Sequence, residues 1–128
     1  MTVLGLGVDL VEVARIEQSI ARHGPKFLER VFTAGEIAYC GAMKQPAPFY
    51  AARFAAKEAV AKALGTGIGP ACGWLEIDVR RKASGEPFVV LHGAAAATAQ
   101  RLGVGSILLS LSHTEHYAIA QTITQPPS

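Results

Sequence analysis

Hydrophobic positions along the chain change period several times, and each change predicts an element. Val3 to Leu10 is apolar and spaced by glycine, which predicts a first strand ending at Asp9-Leu10. From Glu12 to His23 the period becomes helical. Val13, Ile16 and Ile20 form one apolar face, and Gly24-Pro25 stops the helix. Phe27 to Phe32 continues the core as a short helix or turn. Thr33-Ala34-Gly35-Glu36 has the form of a capping box, whose hydroxyl and carboxylate satisfy free N–H groups at a helix start. That helix runs to about Met43. Gln45-Pro46-Ala47-Pro48 breaks the chain, with Pro48 suited to the first turn of the next helix. This next helix runs to Leu64, with Gly65 placed to cap it and a flexible loop, Gly65 to Pro70, directly after.

In the second half, Leu75, Ile77 and Val79 alternate with Glu76, Asp78 and Arg80, the pattern of a half-exposed strand. Ser84-Gly85 makes a turn, and Pro87 to Leu91 returns as the partner. Gly93 to Leu102 is an Ala-rich helix ended by Gly103. Ser106 to Ser112 and Tyr117 to Ile123 form a last hairpin around His113-Thr114-Glu115-His116, and the tail from Gln125 is expected to fray. Mixed element order predicts an α+β fold, an antiparallel sheet packed with helices of which one is long and buried. The chain has 128 residues and no internal repeat or linker, so residues 1–128 read as a single domain.

Composition narrows the class. Half the residues are hydrophobic and 17% are charged, which suits a globular chain rather than a disordered one. A net charge of +2, with no basic run longer than Arg80-Arg81-Lys82, argues against nucleic acid. No apolar run reaches the length of about 18 residues that a membrane span needs. The N-terminus lacks a positive region, and Asp9 interrupts its apolar run, so it is not a signal peptide. Cys40 and Cys72 show no metal-ligand spacing and read as buried free thiols in a reducing, cytoplasmic compartment.

Candidate chemistry centres on the helix around Arg53 to Leu64. It is apolar almost all the way round, as a buried helix is, yet carries Arg53, Lys57, Glu58 and Lys62. Buried charges are costly unless paired or bound to a ligand. Glu58 and Lys62 share one face, and Arg53 and Lys57 another. One carboxylate among three cations suits a polyanion bridged by a metal. The plainer reading is a favourable helix pair, with long cations reaching out to water. Asp9, in an otherwise apolar strand, is either the cap of the following helix or a metal ligand. Two carboxylates completed by water and substrate phosphates are a usual way to hold Mg²⁺. Ser112, His113 and Thr114 cluster two hydroxyls and an imidazole in one turn, which suits phosphate contact. His113 and His116 have no third N or S ligand to make a zinc site. On the first helix, Arg15, Ser19 and Arg22 lie on one side with Gln18 beside them, either a solvated face or a docking stripe for an acidic protein.

Three blocks of the chain form one further pattern. The first is Gly5-Leu6-Gly7-Val8-Asp9-Leu10-Val11-Glu12-Val13-Ala14-Arg15-Ile16. The second joins Phe32-Thr33, Glu36 and Tyr39-Cys40 to Arg53-Phe54-Ala55-Ala56-Lys57-Glu58-Ala59 and Lys62-Ala63-Leu64-Gly65-Thr66-Gly67. The third is Ser110-Leu111-Ser112-His113 with Tyr117-Ala118. Together they resemble the holo-acyl-carrier-protein synthase family of phosphopantetheinyl transferases, small trimeric type, and Trp74 to Leu91 is similar to the family's central hairpin. The resemblance implies Mg²⁺-dependent transfer of 4′-phosphopantetheine from coenzyme A to a serine of apo-acyl carrier protein, releasing adenosine 3′,5′-bisphosphate. It implies that Asp9 and Glu58 hold the metal and that Glu58, directly or through a bound water, accepts the serine proton. Lys62 would stabilise charge on the leaving phosphate. Arg53, Lys62, Gly65, Gly67, Ser112 and His113 would contact coenzyme A. Arg15, Gln18 and Arg22 would dock the carrier protein. Sites would lie between the subunits of a homotrimer. A non-catalytic coenzyme A or nucleotide-binding module is the alternative. It would keep Arg53 and the loop after the helix but would not need Asp9 and Glu58 together.

Overall fold

The computed structural model describes residues 2–128. In chain order the elements are β1 (Gly5–Glu12), α1 (Val13–His23), α2 (Pro25–Val31), α3 (Ala34–Gly41), α4 (Pro46–Ala63), a 3₁₀ turn (Trp74–Glu76), β2 (Ile77–Arg81), β3 (Pro87–Leu91), α5 (Gly93–Arg101), β4 (Ser106–His113) and β5 (Tyr117–Gln125). The strands form two antiparallel sheets, one in the order β1-β5-β4 and a separate hairpin of β2 and β3.

Helix α4 lies against the inner face of the three-stranded sheet. Period-two alternation puts Gly5, Gly7, Asp9 and Val11 of β1 on that face. A Cβ on Gly5 would stand 2.0 Å from the Ala63 carbonyl oxygen, and one on Gly7 only 1.8 Å from that of Ala59. Only glycine lets the helix backbone come so close. α4 contributes to two apolar clusters. Tyr50, Ala51 and Ala55 pack with Phe27, Phe32 and Val31, while Val60, Ala61 and Leu64 pack with Ile77, Ala95 and Ala99.

The opposite face of the sheet is uncovered. Leu6 and Leu10 of β1 are 64% and 63% exposed, and Val8, Leu108 and Ile119 are exposed beside them. The pairs Leu6↔Ile123, Leu10↔Ile119 and Leu108↔Ile123 make this face largely apolar, interrupted by Gln121 between Val8 and Ser110 and by Ser112.

The capping box forms as its sequence predicts. Thr33 N–H donates to Glu36 Oε1 (2.7 Å), and Glu36 N–H donates to Thr33 Oγ1 (3.3 Å). Several boundaries differ from the sequence reading. β1 runs through Glu12 straight into α1, so Asp9 is in mid-strand and does not cap that helix. Trp74 to Glu76 is a 3₁₀ turn rather than strand, because the Glu76 carboxylate accepts from Gly73 N–H (2.8 Å) and Ala94 N–H (2.7 Å). The tail is tied down further than expected. Gln125 pairs with Ser106 in β5, and Gly105 lacks the side chain that would collide with Pro127.

Candidate active site

Beyond the two glycine contacts, Asp9 is the next residue of β1 to face α4. Lys62, in the last turn of α4, donates from Nζ to the Val8 carbonyl (3.0 Å) and to Asp9 Oδ1 (3.2 Å). Glu58, one turn back on the same face of α4, lines a cleft of about 620 Å³ together with Asp9. Its other walls include Phe54, Phe27, Ile16, Arg15 and Glu12. Burial raises the Glu58 carboxyl above its ordinary range, the Asp9 charge raises it further, and Lys62 only partly offsets both. The Asp9 charge thus disfavours that of Glu58, and the nearby cation is half exposed and turned to Asp9. A hard divalent cation between them would relieve this repulsion, and carboxylate oxygens suit it. No group of three or more His, Cys, Asp or Glu able to hold a metal occurs among the described residues, so water and substrate would have to complete the coordination.

Of the three cations on α4, Lys62 is the one that pairs with a carboxylate of this cleft, Asp9. Lys57 is fully buried and internally satisfied. Its Nζ meets Glu36 Oε1 at 2.8 Å and donates to the carbonyls of Trp74 (2.9 Å) and Ile77 (2.6 Å). Glu36 Oε2 accepts in turn from Val79 N–H (2.7 Å). Lys57 therefore ties α3, α4 and β2 together, and the view that it belongs with a polyanion gives way to a structural role.

Arg53 faces a second cleft, also about 620 Å³, bordered by Thr33, Gly35, Tyr39, Asp78, Arg80 and Arg81. It is 4% exposed, its Nε has no hydrogen-bond partner among the described residues, and its guanidinium lies 4.4 Å from the Tyr39 ring centroid. Tyr39 packs on Phe49 (6.2 Å between centroids), and Phe49 on His113 (4.9 Å). Arg53 and His113 therefore stand at the two ends of one run of rings, away from Asp9 and Glu58 of the same chain.

Ser112 and His113 are not in a turn but are the last two residues of β4. Consecutive strand residues point to opposite faces, so Ser112 joins the uncovered face while His113 meets Phe49. Thr114 closes the turn instead, with its hydroxyl accepting from Tyr117 N–H (3.2 Å). Gly65 and Gly67 have φ of +80° and +65° and end α4, with Gly65 N–H donating to Lys62 O and Gly67 N–H to Ala61 O. Arg15, Gln18 and Arg22 line one shallow depression on α1. Arg15 also borders the Asp9–Glu58 cleft, so the basic stripe leads into it.

Sequence reasoning missed Arg81 and Tyr39 as parts of a site. Arg81 stood out only as part of a short basic run, and Tyr39 only within the family-like pair Tyr39-Cys40, with no role attached to it. Their convergence on Arg53 is made by α3 and β2 packing on α4.

Residues 5–122 match the 4′-phosphopantetheinyl transferase superfamily. The holo-[acyl-carrier-protein] synthase of Moorella thermoacetica is 50% identical over 95% of this chain and 94% of its own length. That of Koribacter versatilis is 49% identical over 96% and 98%. Among solved structures, the synthase of Neisseria meningitidis superposes with a TM-score of 0.90 at 31% identity, covering 97% of this chain and 99% of its own. The Helicobacter pylori synthase in complex with coenzyme A gives 0.84 at 32% identity, covering 94% and 99%. The chain belongs to the 4′-phosphopantetheinyl transferase superfamily and, within it, to the holo-acyl-carrier-protein synthases. Its activity is transfer of 4′-phosphopantetheine from coenzyme A to apo-acyl carrier protein.

Proposed function

We propose that the transfer takes place in the Asp9–Glu58 cleft and depends on Mg²⁺ held by those two carboxylates. The observation that carries this is their placement in one cleft, with Glu58 raised by burial and by Asp9. When bound, Mg²⁺ would supply Lewis-acid polarisation of the phosphate and neutralise charge there. Glu58 accepts the proton of the carrier serine, for which a raised carboxyl is suited. The serine oxygen forms the new bond to phosphorus as the bond to the adenosine 3′,5′-bisphosphate leaving group breaks. Lys62, anchored on Val8 O, faces the charge that develops on the leaving phosphate. Arg53 and His113 hold phosphates of the nucleotide, while the Gly65–Gly67 loop and Ser112 border the path of coenzyme A. Arg15, Gln18 and Arg22 receive an acidic surface of the carrier and deliver its serine to the cleft.

We further propose a homotrimer with shared sites. Phe49, against which His113 packs, precedes Glu58 by nine residues on α4, about 13 Å at ~1.5 Å per residue. A site that uses both therefore takes His113 from another copy, and the uncovered apolar face of β1-β5-β4 supplies a surface for association. Among the described residues no helix is long and apolar enough to cross a membrane. Use of coenzyme A together with the buried free thiols Cys40 and Cys72 suits the cytoplasm.

The test is the intact mass of an apo carrier protein incubated with coenzyme A and enzyme, with and without Mg²⁺. Transfer adds one phosphopantetheine. Asp9→Ala and Glu58→Ala should each lose ~10²-fold or more in rate while remaining folded, on the scale of losses at metal-supporting positions. Near-normal rates in either variant, or transfer unaffected by chelator, would reject the metal site.

A further inference from the structure

Two guanidiniums share one aromatic ring in the second cleft. Arg53 lies 4.4 Å and Arg81 5.0 Å from the Tyr39 centroid, and Arg81 Nη1 also donates to the Tyr39 hydroxyl. Like charges this close repel, so something must offset them. The third guanidinium of the cleft is already matched, since Arg80 Nε meets Asp78 Oδ2 at 3.0 Å. Asp78 is further engaged by Thr33 Oγ1 and His92 Nε2. Neither Arg53 nor Arg81 forms an ion pair with a carboxylate among the described residues, and the Nε of Arg53 is buried without a partner. Gly85 turns the β2–β3 hairpin with φ of +92°, and Arg81 Nη2 lies against that turn, 2.9 Å from where a Cβ would stand. Phe49 packs edge-to-face with the Tyr39 ring, 6.2 Å between centroids.

We infer that Tyr39 is a positioning residue that holds Arg53 and Arg81 as a pair, making a two-cation receptor for a phosphomonoester dianion. The inference rests on the reading above that Arg53 meets a phosphate of the nucleotide. It adds Arg81 as a second ligand and Tyr39 as the group that sets their spacing. A phosphomonoester carries a charge of about −1.5 to −2 at neutral pH, which matches two guanidiniums better than one. In coenzyme A that monoester is the 3′-phosphate, which adenosine 5′-monophosphate lacks. The ring face attracts both cations and its hydroxyl orients one, so their repulsion is countered before the ligand arrives. The planar forks can then meet phosphate oxygens with little further ordering. An acidic segment of the carrier protein is the competing occupant.

The experiment measures binding of adenosine 3′,5′-bisphosphate and of adenosine 5′-monophosphate by calorimetry, with steady-state kinetics for coenzyme A and carrier. It uses the full-length enzyme and its Tyr39→Phe, Tyr39→Leu, Arg81→Ala and Arg53→Ala variants. Tyr39→Leu should weaken the bisphosphate about tenfold, the monophosphate little, and raise the KM for coenzyme A with kcat unchanged. Tyr39→Phe keeps the ring and should lose only about two- to threefold. In an Arg53→Ala/Arg81→Ala background, Tyr39→Leu should cost nothing more. If Arg53→Ala loses bisphosphate binding but Tyr39→Leu does not, the clamp is wrong and the phosphate reading stands. If Arg53→Ala binds like the wild type, both fall. Equal weakening of the two nucleotides by Tyr39→Leu, or a rise in KM for carrier alone, also overturns the inference.

Discussion

Gly7 of β1 and Ala59 of α4 meet backbone to backbone, with no room for a side chain between them: a Cβ at position 7 would lie 1.8 Å from the Ala59 carbonyl oxygen. This contact sets how near α4 comes to β1, and therefore how near Glu58 and Lys62 come to Asp9. Gly7→Ala should force the two elements apart. We expect a loss of about 1–3 kcal/mol or more in urea unfolding, the usual scale of overpacking. Transfer activity should fall in the fraction that remains folded. A variant with wild-type stability would show that the contact relaxes freely.

The buried Glu36–Lys57 pair makes a sharper stability prediction. Lys57→Met leaves the Glu36 carboxylate uncompensated and strips the Trp74 and Ile77 carbonyls of their donor. Removing one member of such a pair costs about 3–5 kcal/mol. The double variant Glu36→Gln/Lys57→Met should recover part of this, because no charge is left buried. A double variant no more stable than Lys57→Met alone would contradict that account.

Two carboxylates fix the acid limb of stability. Backbone N–H groups of Gly73 and Ala94 hold Glu76 below its ordinary range. Burial would raise Asp78, but hydrogen bonds from Arg80, Thr33 and His92 outweigh it and leave that group lowered as well. A carboxyl lowered by folding stabilises above its unfolded pKa, and that contribution is lost as pH falls through its folded value. Stability should therefore decline as pH drops through and below the ordinary carboxylate range. Glu76→Gln, less stable at neutral pH, should show a shallower decline in urea midpoints below about pH 4.5. An unchanged slope would remove Glu76 from the account.

The uncovered face of β1-β5-β4 makes the assembly testable. Light scattering should give three chains per particle at micromolar concentration, and Leu10→Lys should yield smaller, inactive species. Inactive Glu58→Ala and His113→Ala chains, once exchanged into mixed particles, should regain activity if each site takes His113 from a neighbour. No recovery after proven exchange would count against shared sites.

Arg15 and Arg22 border one depression that leads toward Asp9 and Glu58. Arg15→Glu with Arg22→Glu should raise the KM for carrier several-fold or more and leave coenzyme A affinity nearly unchanged. Added salt should weaken carrier use by the wild type more than by the variant. Loss of coenzyme A binding with normal carrier use would assign the stripe to the nucleotide instead.

Element types were legible because their determinants are local. The Thr33–Glu36 box spans one turn, and the apolar period of α1 repeats within two. The glycine that ends α4 follows its last turn directly. Helical spacing also separates Arg53 from Glu58 and Lys62, since residues five apart on a helix face different ways. What each charge meets was settled only by packing. Lys57 looked equivalent to Arg53 along the chain, yet α3 brings Glu36 to it and saturates it, whereas no carboxylate among the described residues pairs with Arg53. Ser112 and His113 are neighbours in sequence, but β4 continues through both and turns them to opposite faces. Tyr39 and Arg81 became a site when α3 and β2 closed over α4. Burial makes partners of groups far apart in the chain, and side-chain spacing along one segment does not record which groups those are.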